Sequence, residues 1–168
     1  LTNDQSQPAD SVCRAFLALG GNLGDRHGML TRAVSALRQT DTLVAVSPFY
    51  ETPALVPDGA PDSWNTPFLN AVVSVDTTKT PGKMLATVKR IETELGRAPS
   101  ERWAPRLIDI DILAMGDAVV DRDGLTLTHP EAYKRLFVLA PWADLAPNFV
   151  HPLFGVTVAE LLSRLRAS

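Results

Sequence analysis

Two aspartates separated by a single residue are the feature of this sequence with the clearest potential for chemistry. Asp109 and Asp111 lie in the segment 107–115, where isoleucines occupy the alternate positions. Side chains two residues apart on a β-strand point to the same face, and their backbones are roughly 6.6 Å apart. The isoleucines therefore face a core, and both carboxylates share the open face. Mg²⁺ is commonly bound by one or two carboxylates together with phosphate oxygens and water, so the pair predicts a metal that carries a phosphate.

Three arginines upstream of the aspartates weigh against a simpler interpretation. A bare Asp-x-Asp pair is more often a solvated strand face that is neutralised by arginines. Here Arg97, Arg102 and Arg106 all precede the pair within one short, proline-containing segment. A guanidinium group binds phosphate oxygens bidentately, and Mg²⁺ bridges them. Arginines beside paired aspartates therefore favour a polyphosphate site.

The hydrophobic pattern predicts the elements that must hold these residues in place. Alternating or β-branched apolar runs predict strands, and apolar residues at helical spacing between capping residues predict helices. The predicted order is a strand at 14–20, a helix after Asp25, strands at 42–50 and 68–77, a helix at 80–95, the central strand at 107–115, a possible return strand at 118–121 and a final helix at 158–166. This order indicates an α+β fold of ferredoxin-like type, a single-domain sandwich in which helices pack on one face of an antiparallel sheet.

Residues outside the central strand supply further candidates. Phe68 and Asn70 share the face of their strand that is opposite the core, where a ring and an amide could stack on and hydrogen-bond a flat heterocycle. Glu92 lies at the edge of the apolar stripe of its helix, so its carboxylate requires a partner from the protein or a ligand. The proline-rich segment 53–67 is long for a connection and is predicted to be either a functional lid or a disordered insert. The glycine-rich turn at 20–24 matches no phosphate-binding loop and is predicted to be a tight turn.

Length and composition limit the kind of protein this sequence can be. A chain of 168 residues that is 45% hydrophobic is expected to form one domain with a substantial core. Its net charge of −3 supplies no general attraction to nucleic acid or to an anionic membrane, so neither is an expected partner. The single Cys13 cannot form an internal disulfide, and the absence of a membrane-length apolar run or a signal peptide pattern predicts a cytoplasmic location. We expect residues 1–12 to form a disordered tail and residues 13–168 to form the domain.

The segment 102–113, Arg-Trp-Ala-Pro-Arg-Leu-Ile-Asp-Ile-Asp-Ile-Leu, resembles the signature of the 6-hydroxymethyl-7,8-dihydropterin pyrophosphokinase (HPPK) family of folate biosynthesis. Four other blocks resemble the same family in the same order, at 17–25, 49–53, 68–71 and 129–141. Five ordered blocks are far more specific than any one of them. The resemblance therefore covers nearly all of residues 14–152, and we expect residues 13–168 to form a pterin pyrophosphokinase domain.

The resemblance implies an activity and a set of ligands. Members of the family transfer pyrophosphate from ATP to the hydroxymethyl group of the pterin and release AMP, with two Mg²⁺ ions. By resemblance, Asp109 and Asp111 bind the metal, and Arg97 and Arg106 are catalytic. The implied pterin-binding residues are Thr52, Pro53, Leu55, Phe68, Asn70 and Phe137, with the two phenylalanine rings on either side of the pterin. The implied ATP-binding residues are Glu92, Arg102, Trp103, His129 and Arg135, together with Ile112 and Thr126, near which the backbone is implied to contact the adenine.

The resemblance also bears on histidines and on partners. His129 and His151 each precede a proline, and from the sequence pattern alone each is expected to be structural. Only the resemblance gives His129 a ligand. Members of the family also occur fused to neighbouring folate-pathway enzymes, so a fused or associated partner enzyme stays open for this chain.

Two other classes of protein stay as alternatives at this point. A non-catalytic ligand-binding module on a ferredoxin-like sheet would bind ligand without forming product, but it does not require paired aspartates beside arginines. A metal-dependent nuclease or nucleotidyltransferase would use the same aspartate pair, but this acidic chain lacks a broad basic patch. Neither class explains why an aromatic ring and an amide, Phe68 and Asn70, would share one face of a strand.

Overall fold

Two long strands form the centre of a five-stranded antiparallel sheet. In the computed structural model, which describes residues 11–122 and 124–168, β1 (Cys13–Gly21) pairs along its whole length with β4 (Phe68–Thr77). The other edge of β1 pairs with β5 (Asp109–Met115). The other edge of β4 pairs first with β3 (Tyr50–Thr52) and then with β2 (Thr42–Val46), which gives the order β2-β4-β1-β5. The predicted α+β class with an antiparallel sheet is confirmed.

Three of the four α-helices in the described residues, the first, second and fourth along the chain, were predicted from the sequence, whereas the third forms over an apolar run for which no helix was predicted. The α-helices of the described residues are α1 (Arg26–Thr40), α2 (Pro81–Glu94), α3 (Leu136–Leu145) and α4 (Val158–Ala167). A small hairpin of β6 (Val120–Arg122) and β7 (Leu125–Leu127) follows β5, and short 3-10 turns occur at Asp62–Trp64 and Ala132–Lys134.

Helices cover both faces of the sheet, so the expectation of helices on one face is wrong. Helices α1 and α2 pack on the face that carries Leu17 and Leu19, whereas α3 and α4 pack on the face that carries Phe16 and Val72. Trp142 of α3 is fully buried against this second face. The physical reason is that the central strands are apolar on both faces over much of their length, and each apolar face must be removed from water.

Local capping residues fix the helix boundaries close to the predicted positions. Thr80 caps α2 by accepting a hydrogen bond from the backbone N–H of Lys83, and a proline occupies the first turn. Asp25 accepts from the backbone N–H of Gly28 at the start of α1. At α4, Thr157 and Glu160 form a reciprocal capping box. The predicted helices at 80–95 and 158–166 are therefore confirmed to within a residue or two at each end.

Two predicted strands differ from the structure. The segment 42–50 is two strands rather than one, because Pro48 has no N–H and Ser47 turns its hydroxyl to accept from the backbone N–H of Val72. The predicted return strand at 118–121 begins only at Val120, and it pairs with β7 rather than with β5. The turn after β5 therefore directs the chain away from the main sheet.

The predicted tail, residues 1–12, lies outside the described residues except for Ser11 and Val12. Strand β1 begins at Cys13, one residue before the predicted strand at 14–20, and the boundary between tail and domain stays a prediction. Within residues 11–122 and 124–168, no helix has both the length and the apolar character needed to cross a membrane.

Candidate active site

A cleft of about 370 Å³ lies over the end of β1 and the adjoining parts of β4 and β5. Fourteen of the predicted site residues line it: Thr52, Pro53, Leu55, Phe68, Asn70, Arg97, Arg102, Trp103, Arg106, Asp109, Asp111, His129, Arg135 and Phe137. The structure thus brings together residues from five separate parts of the sequence. Their individual roles stay predictions.

Strand register places the aspartates beside the candidate pterin-binding residues. Gly20 of β1 is paired with Asn70 on one side and with Asp109 on the other, so all three project towards the same face. Two interstrand spacings separate the backbones of Asn70 and Asp109 by roughly 10 Å. Ala18 is likewise paired with Asp111. Small side chains at positions 18 and 20 therefore form a floor between the two halves of the cleft.

The closeness of Gly20 to Asn70 shows why the residue at position 20 must be small. A Cβ atom added to Gly20 would lie 2.9 Å from Oδ1 of Asn70, closer than real Cβ atoms approach. From the sequence alone, positions 18 and 20 were predicted only to belong to a strand and its tight turn. The signal was available in the alternation Leu17-Ala18-Leu19-Gly20, in which large residues face the core and small residues face the cleft.

The candidate pterin half of the cleft is built on β3 and β4. Asn70 is 6% exposed, and its side-chain Nδ2–H donates to the Thr52 hydroxyl at 2.7 Å. This bond fixes the orientation of the amide, with Oδ1 towards Gly20. Phe68 and Phe137 line the cleft from β4 and α3, and the guanidinium carbon of Arg135 lies 5.8 Å from the Phe137 ring centre. The pocket thus combines two rings with one oriented amide.

Asp109 and Asp111 differ sharply in their surroundings. Arg97 Nη1 lies 2.5 Å from Asp109 Oδ1, and Arg106 Nη1 donates to Asp109 Oδ2 at 2.7 Å. Both oxygens of Asp109 therefore face arginines. The Asp111 side chain is 47% exposed, and its nearest basic group is His129, with Nε2 4.0 Å from Oδ2. Asp111 thus has free coordination capacity, whereas Asp109 would have to exchange its arginine partners to bind a cation.

Glu92 holds in place the segment 97–106, called here the arginine loop because it carries Arg97, Arg102 and Arg106. It is 2% exposed, and its Oε1 accepts from the backbone N–H of Ile110 at 2.7 Å and lies 2.7 Å from Arg97 Nη1. The Nζ of Lys89 lies 3.2 Å from the other oxygen, Oε2. The prediction that this carboxylate has a partner is confirmed. Glu92 does not line the cleft, so its side chain is connected to the cleft only through its ion pairs with Arg97 and Lys89, which do line it.

Ile112 and Thr126, near which the backbone is implied to contact the adenine, also do not line the cleft. The Ile112 side chain is packed in the core below the sheet, and Thr126 is exposed on β7 with its hydroxyl 3.3 Å from Asp121. The resemblance had assigned the backbone near these residues, rather than the side chains, to adenine. That assignment stays a prediction.

Lys89 lines the cleft and was not singled out as a site residue by the sequence analysis. The signal that could have identified Lys89 from the sequence is its position three residues before Glu92, on the same face of α2.

Asn22 is a second residue that the sequence analysis missed, because the Gly-Gly-Asn segment was interpreted only as a turn. It is 1% exposed. Its backbone N–H donates to the Arg106 carbonyl, and its Oδ1 accepts from the Arg106 backbone N–H at 2.9 Å. Its Nδ2–H donates to the carbonyl of Thr66, at the end of the proline-rich segment. Asn22 therefore ties the arginine loop to the segment that precedes Phe68.

The tip of the arginine loop has a strained backbone. Trp103 has φ of 71°, and it is the one non-glycine position among the described residues with positive φ. The Arg102 guanidinium lies over its ring, with Cζ 5.1 Å from the ring centre. Left-handed backbone at a bulky residue persists only where the surroundings hold it, and such positions cluster at functional sites.

His129 presents a neutral ring to the cleft. Its Nδ1 accepts from the backbone N–H of Glu131 at 3.2 Å, so the ring proton lies on Nε2, the atom that faces Asp111. Burial lowers the pKa of His129, although the charge of Asp111 acts in the opposite direction. A neutral imidazole with one N–H suits a hydrogen bond to a phosphate oxygen.

The carboxylates fit Mg²⁺ better than a metal that requires a full protein cage. Across residues 11–122 and 124–168, no group of three or more His, Cys, Asp or Glu side chains could hold a metal by itself. Asp109 and Asp111 supply two hard oxygen donors on one strand face, which suits a cation that takes its other ligands from phosphate and water. The donor set therefore fits a metal bound together with a polyphosphate.

The fold and the cleft together define a class of protein. A carboxylate pair, an arginine-rich loop and an aromatic pocket on one antiparallel sheet are the parts of an enzyme that transfers a phosphate-containing group. The family model described as 7,8-dihydro-6-hydroxymethylpterin-pyrophosphokinase (HPPK) matches residues 16–147. This chain belongs to that family.

Individual relatives agree with the family assignment. The chain is 44% identical over 160 residues to the 2-amino-4-hydroxy-6-hydroxymethyldihydropteridine pyrophosphokinase of Methylorubrum extorquens, covering 94% of this chain and 96% of the relative. It is 41% identical over 133 residues to the protein of the same name from Bacillus subtilis, covering 78% and 77% of the two chains. Among solved structures, Plasmodium falciparum HPPK-DHPS with pteroate shares the fold with a TM-score of 0.70 at 16% identity. This chain covers 42% of that longer chain, and 92% of its own length is matched.

Proposed function

We propose that this chain transfers the pyrophosphoryl group of ATP to the hydroxymethyl group of 6-hydroxymethyl-7,8-dihydropterin and releases AMP. The family and the names of the relatives support this activity. The single structural observation that carries the proposal is the row Asn70–Gly20–Asp109 across three paired strands. This row supports the proposal because an oriented amide, which suits a heterocycle, and a carboxylate, which suits a metal with phosphate, line one cleft with only a glycine between them.

The chemistry required of the protein is positioning and charge neutralisation rather than nucleophilic attack by a side chain. The oxygen of the pterin hydroxyl attacks the β-phosphorus and its proton is released to solvent, while the bond between the β-phosphorus and the oxygen bridging it to the α-phosphorus breaks, so that AMP leaves with that oxygen. Holding the two reactants in line converts a bimolecular step into an effectively unimolecular one. The rings of Phe68 and Phe137 and the amide of Asn70 would hold the pterin, with Thr52 fixing the amide.

The charged half of the cleft would hold the triphosphate. Asp109 and Asp111 would bind Mg²⁺, two ions in this proposal, which neutralises phosphate charge when bound. Arg97 and Arg106 now face Asp109, and they would turn their guanidinium groups to phosphate oxygens when the nucleotide enters. Arg102, Arg135, Lys89 and His129 line the same cleft. The arginines thus balance Asp109 before binding and the phosphates afterwards.

The arginine loop and the segment 53–67 would close over the substrates. Asn22 contacts both segments, through Arg106 and Thr66, so it would hold their anchored ends together while their tips move. Exclusion of water strengthens the electrostatic interactions inside a closed site and prevents hydrolysis of ATP. A partner or fused folate-pathway enzyme and a cytoplasmic location belong to the same proposal. Relatives such as the folate synthesis bifunctional protein of Chlamydia trachomatis, of which this chain covers 30%, show that such fusions exist.

Product analysis tests the proposed function directly. The protein is incubated with Mg²⁺, ATP and 6-hydroxymethyl-7,8-dihydropterin, and the nucleotides are separated by chromatography. Pterin-dependent AMP is the expected product. ADP would indicate ordinary phosphoryl transfer, and the absence of any product would favour a non-catalytic binding module; either result contradicts the proposal.

Replacement of Asn70 by Ala is expected to weaken pterin binding about tenfold or more, because the heterocycle loses its oriented hydrogen-bond partner. The affinity for ATP is expected to change little, because Asn70 lies on the opposite side of Gly20 from Asp109. Calorimetric titration of each ligand separately measures both constants. An equal fall in the two affinities would contradict the division of the cleft into two halves.

A further inference from the structure

His151 is a buried histidine that the site described above does not use. It is 1% exposed and lies in the connection between α3 and α4. Its ring stacks on Phe154 with centres 4.5 Å apart, and its Nδ1 accepts from the backbone N–H of Leu153 at 3.3 Å. Its backbone N–H donates to the carbonyl of Val156. The ring is therefore held in one orientation by stacking and by hydrogen bonds on both the ring and the backbone.

The hydrogen bonds of the ring determine which nitrogen carries the proton. Because Nδ1 of His151 accepts, Nε2 carries the hydrogen, and this atom lies 2.9 Å from the hydroxyl oxygen of Thr128. Burial lowers the pKa of His151, which favours the neutral ring. Thr128 is itself only 2% exposed. A buried Nε2–H therefore donates to a buried hydroxyl, and loss of either partner would leave the other as an unpaired buried polar group.

Thr128 immediately precedes His129, whose ring lines the cleft. The backbone of this short segment is held from β5, because the His129 N–H donates to the carbonyl of Leu113 at 3.2 Å. His151 holds the same segment from the other side, through the Thr128 side chain. Two attachments one residue apart fix both the position and the rotation of the backbone that carries the His129 ring.

We infer that His151 is a positioning residue for the active site. Through Thr128 it fixes the ring of His129, with Nε2 directed at Asp111 and at the place where nucleotide phosphate would bind. The part of this inference that concerns nucleotide rests on the proposed function; the part that couples His151 to His129 does not. The coupling spans 22 residues of sequence between 129 and 151, across a packed interface rather than along the chain.

The first test observes the histidine rings without any ligand or turnover. The sequence contains three histidines, so the side-chain nitrogen signals of a ¹⁵N-histidine-labelled protein are few enough to assign. The variant Thr128→Val is expected to move the signals of both His151 and His129. Thr128→Ser, which keeps the hydroxyl, is expected to retain the wild-type His129 signals. His27, exposed on α1, is the internal control. Unchanged His129 signals in Thr128→Val would overturn the coupling.

The second test measures the affinity for ATP with Mg²⁺ by calorimetry. Thr128→Val and His151→Phe are each expected to raise the ATP dissociation constant about fivefold, which is the size expected when a ligand-contacting group loses its fixed position by one hydrogen bond. The double variant is expected to match the single variants, because both remove the same link. Thr128→Ser and His151→Gln, which keep a hydroxyl and a side-chain N–H donor, are expected to retain most of the affinity.

A matched control separates positioning from general stability. Thr77 is also a buried threonine, 2% exposed, whose hydroxyl accepts from the backbone N–H of Lys79 at the far end of β4. Thr77→Val is expected to lower the free energy of unfolding about as much as Thr128→Val while leaving the ATP dissociation constant unchanged. An equal loss of ATP affinity in Thr77→Val would show that lost stability alone explains the effect, and would overturn the inference.

The outcomes distinguish failure of this inference from failure of the proposed function. If the wild type forms AMP and binds ATP, but Thr128→Val binds ATP as tightly as the wild type, the inference is overturned and the function stands. If the wild type forms no AMP, the proposed function fails, and the histidine signals still decide whether His151 positions His129. Should His151→Phe not fold, Thr128→Val and Thr128→Ser carry both tests.

Discussion

Replacement of Asp111 by Asn is expected to reduce the turnover number for AMP formation by at least about 10³-fold, with little effect on the fold. The Asp111 side chain is 47% exposed, and its nearest basic group is 4.0 Å away, so its charge contributes little to stability. The free energy of unfolding should change by less than about 0.5 kcal/mol. In the proposed function the charge is needed only when metal and triphosphate are bound.

Replacement of Asp109 by Asn is expected to have a comparable effect on turnover but a different effect on the free protein. Asp109 balances Arg97 and Arg106, so its loss leaves two guanidinium groups close together in the cleft. Titration with Mg²⁺ at saturating ATP and pterin measures the effect in both variants. The matched control is Asp117→Asn, which removes an exposed carboxylate from the turn after β5. Wild-type turnover in either active-site variant at saturating Mg²⁺ would contradict the assignment of the pair as metal ligands.

Replacement of Arg106 by Ala is the second large expected effect, a fall of about 10²- to 10³-fold in turnover number. Arg106 Nη1 donates to Asp109, and Asn22 fixes its backbone from both the N–H and the carbonyl side. The side chain is therefore presented to the cleft on a rigid base. Arg106→Lys is expected to recover only part of the loss, because an ammonium group cannot bind two phosphate oxygens with a planar fork.

Arg97 provides a contrast within the same prediction. Arg97→Ala should lower turnover similarly, but it should also lower the free energy of unfolding by about 1–3 kcal/mol, because buried Glu92 loses a charged partner. Single-turnover kinetics and chemical denaturation measure the two effects separately. Arg90→Ala, which removes an exposed arginine paired with Glu94 on the same helix, is the control. An Arg106→Ala variant that shows only a raised KM for ATP would mean that Arg106 binds substrate without contributing to the transition state.

The central strand and the helix ends show what local sequence determines. The alternation around Asp109 places Ile108, Ile110 and Ile112 in the core and the aspartates on the cleft face, as the period of a strand requires. Helix α2 begins after its capping residue Thr80, as predicted. Each of these features depends on residues within a few positions of one another. The carboxylate pair and the arginines could therefore be predicted as a candidate site from the sequence alone.

Features that depend on two distant segments were not evident in the same way. The sequence showed that Glu92 needs a partner, but not that the partners are the backbone of Ile110 and the side chain of Arg97. Helices on both sheet faces were missed, because an apolar face indicates burial without indicating which element covers it. Asn22 looked like a turn residue, since its contacts with Arg106 lie 84 positions away.

The amino-acid sequence by itself determined the family of this protein, its antiparallel α+β class and the residue types that would bind metal, phosphate and a heterocycle. The tertiary structure alone decided how those residues meet. It set the strand register that places Gly20 between Asn70 and Asp109, and the packing that joins His151 to Thr128. The physical reason is range: periodicity and capping are encoded by neighbours along the chain, whereas register and side-chain contacts are settled only when distant segments bury their surfaces against one another.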